Sequence, residues 1–160
     1  MVKNSKNLLI KFIFLVSIIA LVSAFFIEYI LGHQPCNLCV LERIPYFLAI
    51  IIVLLNYKFI QFERFFILLL AIIFLAGTIL SLYHLSIEQG FVQESLVCDL
   101  KNGSNLLSKE EILKQLQEKS VSCKDVTFKI FGLSLTSYNI LISLLISIST
   151  VKIYFNYDKN

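Results

Sequence analysis

The chain has 160 residues, a net charge of +3, 58% hydrophobic residues and 16% charged residues. No soluble domain of this size needs so much apolar side chain, and the mean hydropathy of +0.81 indicates an integral membrane protein. The weak positive charge does not indicate a nucleic-acid partner. The length fits one membrane domain over residues 1–160.

The first apolar segment runs from Phe12 to Ile27 without a charge. With its flanks it reaches the roughly 20 residues that a membrane span requires, which predicts a helix at about 11–31. A basic start before an apolar core also fits a cleaved signal peptide. However, the aromatic stretch Phe25–Tyr29 makes a poor cleavage site, so we expect the helix to be retained.

Three more apolar segments follow. Ile44–Tyr57 is short for a span, so we expect the second helix to extend over about 41–60. Phe65–Ile87 and Ile130–Val151 predict the third and fourth helices. The predicted fold is therefore all-α, an integral membrane four-helix bundle.

The cysteines lie in two polar loops, at about 32–40 and 88–129. Within the second loop, Ser108 and Glu111 form a capping box before an apolar stripe, which predicts a short amphipathic helix. This helix would lie on the membrane surface or pack against its own loop. Four crossings place both loops on one side of the membrane and both termini on the other.

The lysine and arginine residues do not orient the protein, because seven lie on each side of the predicted topology. The lysines before the first helix favour cytoplasmic termini, since charges at the first span usually dominate. The cysteines agree, because paired thiols persist as disulfides outside the cytosol. Both cysteine loops are therefore predicted to be extracytoplasmic.

Cys36 and Cys39 form a Cys-x-x-Cys pair, and Arg43 follows four residues later. Such a pair closes a small ring whose disulfide exchanges readily. A nearby helix N-terminus or cation lowers the pKa of a thiol. If a helix begins near Cys39, its positive end faces the sulfurs and Arg43 lies on the face of Cys39. A structural disulfide or half of a zinc site remains an alternative.

The other two cysteines are Cys98 and Cys123, and the even total suits two disulfides. The 24 residues between them do not match a zinc ribbon, so we expect no metal. A c-type haem is excluded because Val40, rather than histidine, follows Cys39.

These motifs together resemble one family. Pro35-Cys36-x-x-Cys39-x-x-Glu42-Arg43, followed by a cysteine pair between helices three and four, resembles the DsbB disulfide-bond-formation proteins. Smaller matches are Tyr83-His84, Cys98-Asp99 and Phe131-Gly132-Leu133. Thr136-Ser137-Tyr138 departs from the Pro-Gln-Trp-like stretch common in the family. In the related vitamin K epoxide reductases the loop cysteines come first, so the order here favours DsbB.

The resemblance implies a bacterial inner-membrane oxidoreductase with cytoplasmic termini and periplasmic cysteine loops. It would reoxidise a soluble DsbA-like thiol oxidase and pass electrons to a membrane quinone, either ubiquinone or menaquinone. The partner would attack Cys98, which sits in a loop that a soluble protein can reach. Cys123 would then attack Cys36, and Cys39 would donate to the quinone.

The resemblance and the spacing also suggest a quinone site. Arg43 would hold a quinone oxygen, His84 would contact the ring, and Tyr46 with Phe47 would form an apolar wall. For His84, an interfacial position with a local hydrogen bond fits equally well. Glu42 is expected to be a surface charge or a helix cap. The alternative for the whole protein is a membrane assembly factor whose disulfides only staple its loops.

Overall fold

The computed structural model describes residues 2–93, 98, 122–124, 129–130 and 132–156. The helices are α1 (Val2–Tyr29), α2 (Asn37–Leu41), α3 (Ile44–Lys58), α4 (Glu63–Glu88) and α5 (Leu135–Phe155), with a 3-10 turn at Ile60–Phe62. Two short strands, β1 (Lys129–Ile130) and β2 (Leu133–Ser134), precede α5. The amphipathic helix predicted after Ser108 lies outside the described residues.

In the part of the chain that the structure describes, four helical segments are long and apolar enough to cross a membrane. They are Lys6–Tyr29, Asn37–Lys58, Ile60–Glu88 and Leu135–Phe155. The protein is thus an all-α, multi-pass membrane four-helix bundle, as the sequence predicts. The segment that looked short reaches 22 residues because it includes α2 as well as α3.

The second span is broken between α2 and α3, where the sequence predicts one helix over 41–60. Helix α2 ends at Leu41, and Arg43 is the N-cap residue of α3. Pro45 lies in the first turn of α3, where its missing N–H has no helical partner to lose. The proline therefore begins a helix rather than kinking one.

The last helix begins later than expected, at Leu135 instead of Ile130. The strands β1 and β2 form an antiparallel hairpin, and Gly132 in its turn adopts the left-handed conformation with φ 81°. Ser134 then caps α5, because its hydroxyl accepts a hydrogen bond from the backbone N–H of Ser137 at 3.4 Å. The hairpin takes the residues that the apolar pattern assigned to the helix.

Helices α4 and α5 form the most extensive interface. Its buried small residues include Ala71, Gly77, Ser81, Ser143 and Ser147. Small side chains let membrane helices approach closely, which replaces the hydrophobic driving force that is absent in lipid. Gly77 also lets α3 approach α4 closely, because a Cβ at this position would lie only 3.1 Å from Pro45 Cγ.

The core has two buried clusters. One is apolar and contains Ile10, Ile13, Tyr46, Ala49, Ile52, Val53, Leu70, Phe74 and Ile146. The other, which we call the cysteine cluster, contains Cys36, Leu38, Ile87, Cys98 and Cys123. Both cysteine pairs therefore lie at one end of the bundle. Near the start of α4, Glu63 accepts from Lys6 of α1 at 2.8 Å.

The orientation of the bundle can be tested with one cysteine placed at each end. Gln89 follows α4 and Gln61 lies in the 3-10 turn, and both are exposed. In a background with all four native cysteines replaced by serine, an impermeant maleimide added to intact spheroplasts should label the Gln89→Cys variant. The matched Gln61→Cys variant should be labelled only after the membrane is permeabilised. The opposite pattern would invert the predicted topology.

Candidate active site

The Cys-x-x-Cys turn is shaped by Cys36, the N-cap residue of α2. Its sulfur accepts a hydrogen bond from the backbone N–H of Cys39 at 3.2 Å. The helix thus begins at Asn37, two residues before the expected start near Cys39, and its positive end faces Cys36. A donated N–H stabilises a thiolate more than a thiol, so this turn favours negative charge on Cys36. Cys36 is buried and Cys39 is half-buried.

The two cysteine pairs are neighbours in space. Cys98 and Cys123 form a disulfide, while Cys36 and Cys39 carry free sulfurs that lie close enough to close into a second one. The Asn37 side chain donates to the Cys98 carbonyl at 2.9 Å and ties the loops together. The expected accessibility of the loop pair is not observed, since Cys98 is 8% and Cys123 2% exposed.

His84 on α4 contacts both Cys36 and Glu42 of the Cys-x-x-Cys turn. Its Nδ1 lies 2.8 Å from Glu42 Oε1 and its Nε2 lies 3.5 Å from Cys36 Sγ. A neutral imidazole that donates Nδ1–H to the carboxylate leaves Nε2 to accept from the thiol. His84 is 2% exposed, and its bond to Glu42 is the local hydrogen bond that one of its two expected roles required.

Two carboxylates flank this imidazole. Glu42 is the C-cap residue of α2, which is one of its two expected roles. It is buried and also accepts from Asn139 Nδ2 at 3.0 Å, so the other expected role, a surface charge, is wrong. Glu88 Oε1 lies 3.8 Å from His84 Nε2 and accepts from Thr136 Oγ1 at 2.7 Å. Buried carboxylates need such donors, because an unpaired buried charge is costly. The site therefore holds acid–base groups on both sides of one histidine.

Arg43 is held by the end of α1. Its Nη1 donates to Glu28 Oε2 at 2.5 Å, and the guanidinium lies 5.3 Å from the centre of the Phe25 ring. Both contacts fix a long side chain that would otherwise be mobile. Glu28, near the end of α1, is thus the ion-pair partner of Arg43.

Tyr46 lies deeper in the bundle. Its hydroxyl donates to Asn139 Oδ1, and its ring meets Phe74 edge-on with centroids 5.6 Å apart. Asn139 Nδ2 also donates to Ser81 Oγ at 2.7 Å. Phe47, expected to share a wall with Tyr46, is 60% exposed and points away from the site.

A cavity of about 460 Å³ adjoins these groups, bounded by α1, the α2–α3 turn and α5. Its apolar lining includes Val16, Ile19, Ala20, Leu21, Ala24, Ile27, Leu135 and Ile142. Its polar lining includes Cys36, Cys39, Glu42, Arg43, Tyr46, His84, Glu88 and Cys123. A largely apolar cavity with a few convergent polar groups is typical of a small-molecule site.

A membrane helix bundle that holds two cysteine pairs beside a buried imidazole has the architecture of a membrane thiol–disulfide oxidoreductase. The family model described as "Disulfide bond formation protein DsbB" matches residues 6–153. The chain therefore belongs to the DsbB family.

One relative is a protein of Rickettsia prowazekii (strain Madrid E), named "Uncharacterized protein RP370". This chain is 37% identical to it over 134 residues, which cover 81% of this chain and 76% of the relative. No solved structure matches the chain.

Several site residues were not predicted from the sequence. Glu28, Glu88, Thr136 and Asn139 all contact a predicted site residue or Glu42. A signal for Asn139 was present, because a side-chain amide inside an apolar membrane segment usually has a structural or functional partner. Nothing in the spacing shows which partner that is.

Asn139 offers a stability test. Asn139→Leu removes the donor to Glu42 and the acceptor of Tyr46, and leaving such buried groups unpaired costs about 1–3 kcal/mol each. Among the described residues, the buried Asn56 Oδ1 has no partner, so Asn56→Leu should cost little. Thermal unfolding in detergent should show a clearly lower midpoint for Asn139→Leu only. Equal losses would contradict the network.

Proposed function

We propose that this protein reoxidises a soluble, DsbA-like thiol oxidase outside the cytoplasm and passes the electrons to a membrane quinone. The observation that carries this proposal is the cavity. Cys36, Cys39 and Cys123 all line it, and its other wall is the apolar face of α1. The cavity therefore lies between the cysteine sulfurs and an apolar face of a membrane-spanning helix.

The cavity suits a quinone, whether ubiquinone or menaquinone. Its volume of about 460 Å³ accommodates a substituted ring, and its apolar wall accommodates a lipid-soluble molecule. When bound, a quinone supplies an acceptor for two electrons and two protons. Arg43 and His84 lie at the polar end, where a guanidinium can donate to an oxygen that gains charge. Tyr46 lines the same cavity and would bound the ring.

The first step takes place at the loop disulfide. A thiolate of the soluble partner attacks Cys98 Sγ, the bond to Cys123 breaks, and Cys123 leaves as a thiolate. Cys98 is the more exposed of the two, which favours it as the point of attack. Because both are largely buried, the loop must open for the partner to dock.

In the second step the loop cysteine Cys123 reacts with the disulfide of the Cys-x-x-Cys pair. The Cys123 thiolate attacks Cys36 in an oxidised Cys36–Cys39 pair, and Cys39 leaves as a thiolate. Cys123 and Cys36 share the cysteine cluster, so this transfer needs little movement. The second thiol of the partner resolves the mixed disulfide, after which Cys98 and Cys123 re-form their bond and release Cys36.

The last step re-forms the Cys36–Cys39 disulfide at the cavity. Two thiols lose two electrons and two protons, which leave through the cavity. His84 Nε2 faces Cys36 Sγ at 3.5 Å and can take the proton of that thiol, while Glu42 stabilises the imidazolium. Arg43 and Cys39 both line the cavity, and a guanidinium there favours negative charge on a thiol of the pair. The whole cycle converts one partner dithiol into a disulfide.

The alternative function, a structural protein stapled by its disulfides, is favoured by the burial of Cys98 and Cys123. The two functions differ in turnover. Purified protein mixed with a reduced DsbA-like protein and quinone should lose partner thiols and reduce quinone in equal amounts. Disulfides that resist the partner, with no quinone reduction, would favour the structural function.

The relay order can be tested by trapping. In Cys123→Ser, Cys98 has no partner in the loop and stays a thiol. Its thiolate should attack the disulfide of the oxidised soluble partner, one partner sulfur should leave as a thiolate, and the mixed disulfide with Cys98 should accumulate because the resolving thiol in the loop is gone. Cys98→Ser is the matched control and should give no adduct. Non-reducing electrophoresis with mass spectrometry of the linked peptides identifies the cysteine involved. An adduct through Cys36 in the otherwise intact protein would reverse the assignment.

Substitution of Arg43 tests whether this residue belongs to the site at which the electrons pass to quinone. A charge-assisted hydrogen bond contributes about 1.5–3 kcal/mol, so Arg43→Ala should weaken quinone-dependent turnover roughly ten- to a hundredfold. Arg43→Lys should restore it only partly, because lysine lacks the planar fork. Mixed-disulfide formation with the partner should be nearly unchanged, since it takes place in another loop.

The matched control for Arg43 is Arg64→Ala. Arg64 lies in the first turn of α4, its guanidinium is 5.1 Å from the centre of the Tyr154 ring, and it does not line the cavity. Turnover measured against quinone concentration should be normal in this variant. If turnover of Arg43→Ala depends on quinone concentration in the same way as turnover of Arg64→Ala, the electrons leave the protein at a site without Arg43.

A further inference from the structure

A cluster of three metal-ligating atoms lies where the Cys-x-x-Cys turn meets α4. Cys36 Sγ, Cys39 Sγ and a ring nitrogen of His84 all lie within 4.8 Å of one another. The sequence did not reveal this set, because 48 positions separate Cys36 from His84. Two thiolates and one imidazole are a donor set that zinc proteins use, with a fourth position left open.

The measured geometry suits a tetrahedral ion. Bonds of about 2.3 Å to sulfur and about 2.0 Å to nitrogen place those two ligand atoms about 3.5 Å apart. Cys36 Sγ and His84 Nε2 are 3.5 Å apart. Little rearrangement of α4 against the turn is therefore needed, and Cys39 Sγ already lies within 4.8 Å of both other ligand atoms.

The surroundings of the cluster also suit a metal. A histidine that binds a metal usually donates its other ring N–H to a carboxylate, which fixes the ring and strengthens the ligand. Glu42 holds His84 Nδ1 in this way at 2.8 Å. The N–H of Cys39 donates to Cys36 Sγ and stabilises a thiolate ligand. Glu88 Oε1, 3.8 Å from Nε2, brings a second negative charge near the fourth position.

We propose that the reduced Cys36–Cys39 pair and His84 bind one zinc ion, and that oxidation of the pair releases it. Only the dithiol offers two thiolates, since a disulfide has no anionic sulfur to give. The metal enters by the cavity, which all three ligands line. While it is bound, neither cysteine can form a new disulfide. Zinc thus inhibits the enzyme in its reduced state only.

The binding itself does not depend on the proposed electron transfer, whereas the inhibition does. Binding is therefore measured without quinone and without a thiol partner. The probe is Co²⁺, a spectroscopic substitute for Zn²⁺ whose thiolate and tetrahedral absorption bands report the ligands. The full chain is purified in detergent, reduced and freed of metal, and titrated with Co²⁺ and then with Zn²⁺ as competitor.

The expected result is one Co²⁺ per chain with thiolate absorption, displaced by Zn²⁺. The Cys98→Ser/Cys123→Ser double variant should behave the same, because its loop cysteines are not ligands. Cys36→Ser and His84→Ala should lose the site. His33→Ala is the matched control, since the chain has two histidines and His33 also lines the cavity. Oxidised protein should show no thiolate absorption.

A graded variant and a second measurement guard against misfolding. Glu42→Gln should keep the stoichiometry and weaken binding about 10- to 100-fold, the usual effect of losing a carboxylate behind a ligand histidine. In the reduced full chain, Zn²⁺ should protect Cys36 and Cys39 from maleimide while Cys98 and Cys123 still react. Absent thiolate absorption, or binding that survives Cys36→Ser or His84→Ala, would overturn the site.

The two hypotheses can fail separately. If Co²⁺ binds as expected but the protein never oxidises a partner, the metal site stands and the proposed function is wrong. If turnover is normal and Zn²⁺ neither binds nor inhibits the reduced protein, the metal site is wrong and the proposed function stands. Chelator should restore turnover to protein inhibited by Zn²⁺.

Discussion

The hydrogen bond between His84 and Glu42 connects helix α4 to the Cys-x-x-Cys turn. Glu42 follows the helix that carries Cys39, and His84 belongs to the long helix α4. At 2.8 Å and largely out of contact with solvent, this bond orients the imidazole so that its other nitrogen faces Cys36. Inside a membrane bundle such a polar group must find its partner within the protein.

The same constraint explains the polar side chains of α5. Asn139 and Thr136 lie in a helix otherwise suited to lipid, and both turn toward the glutamates around His84. A buried carboxylate is tolerated only with donors around it. Helix α5 therefore serves as a source of donors for the site as well as a membrane span. Its small residues let it approach α4 closely enough to supply them.

In the relay that we propose, the cysteine cluster must meet two opposing requirements. Transfer between the pairs requires sulfurs that are close, and packing Cys98 and Cys123 against the Cys-x-x-Cys turn achieves this. Exchange with a soluble protein requires access, which burial prevents. The link from Asn37 to the Cys98 carbonyl is one contact that docking would have to break.

The sequence alone determined the class, the number of spans and the redox motif, because these depend on local composition. Apolar runs of sufficient length indicate membrane helices wherever they occur, and Cys36, Cys39 and Arg43 lie within two helical turns of one another. The family resemblance, now confirmed, rested on the same short motifs. Even locally, however, the break before Pro45 and the hairpin before α5 were missed, since hydropathy does not report hydrogen bonds.

Only the tertiary structure decided what surrounds the sulfurs. It brought His84 to Cys36 across 48 positions, and Asn139 to Glu42 across 97. It also paired Arg43 with Glu28, 15 positions earlier in the chain. Such pairings depend on which helix faces pack together, and a hydrophobic pattern shows only that a face is buried, not which side chain it meets. The acid–base groups and the metal-ligating set follow from that packing.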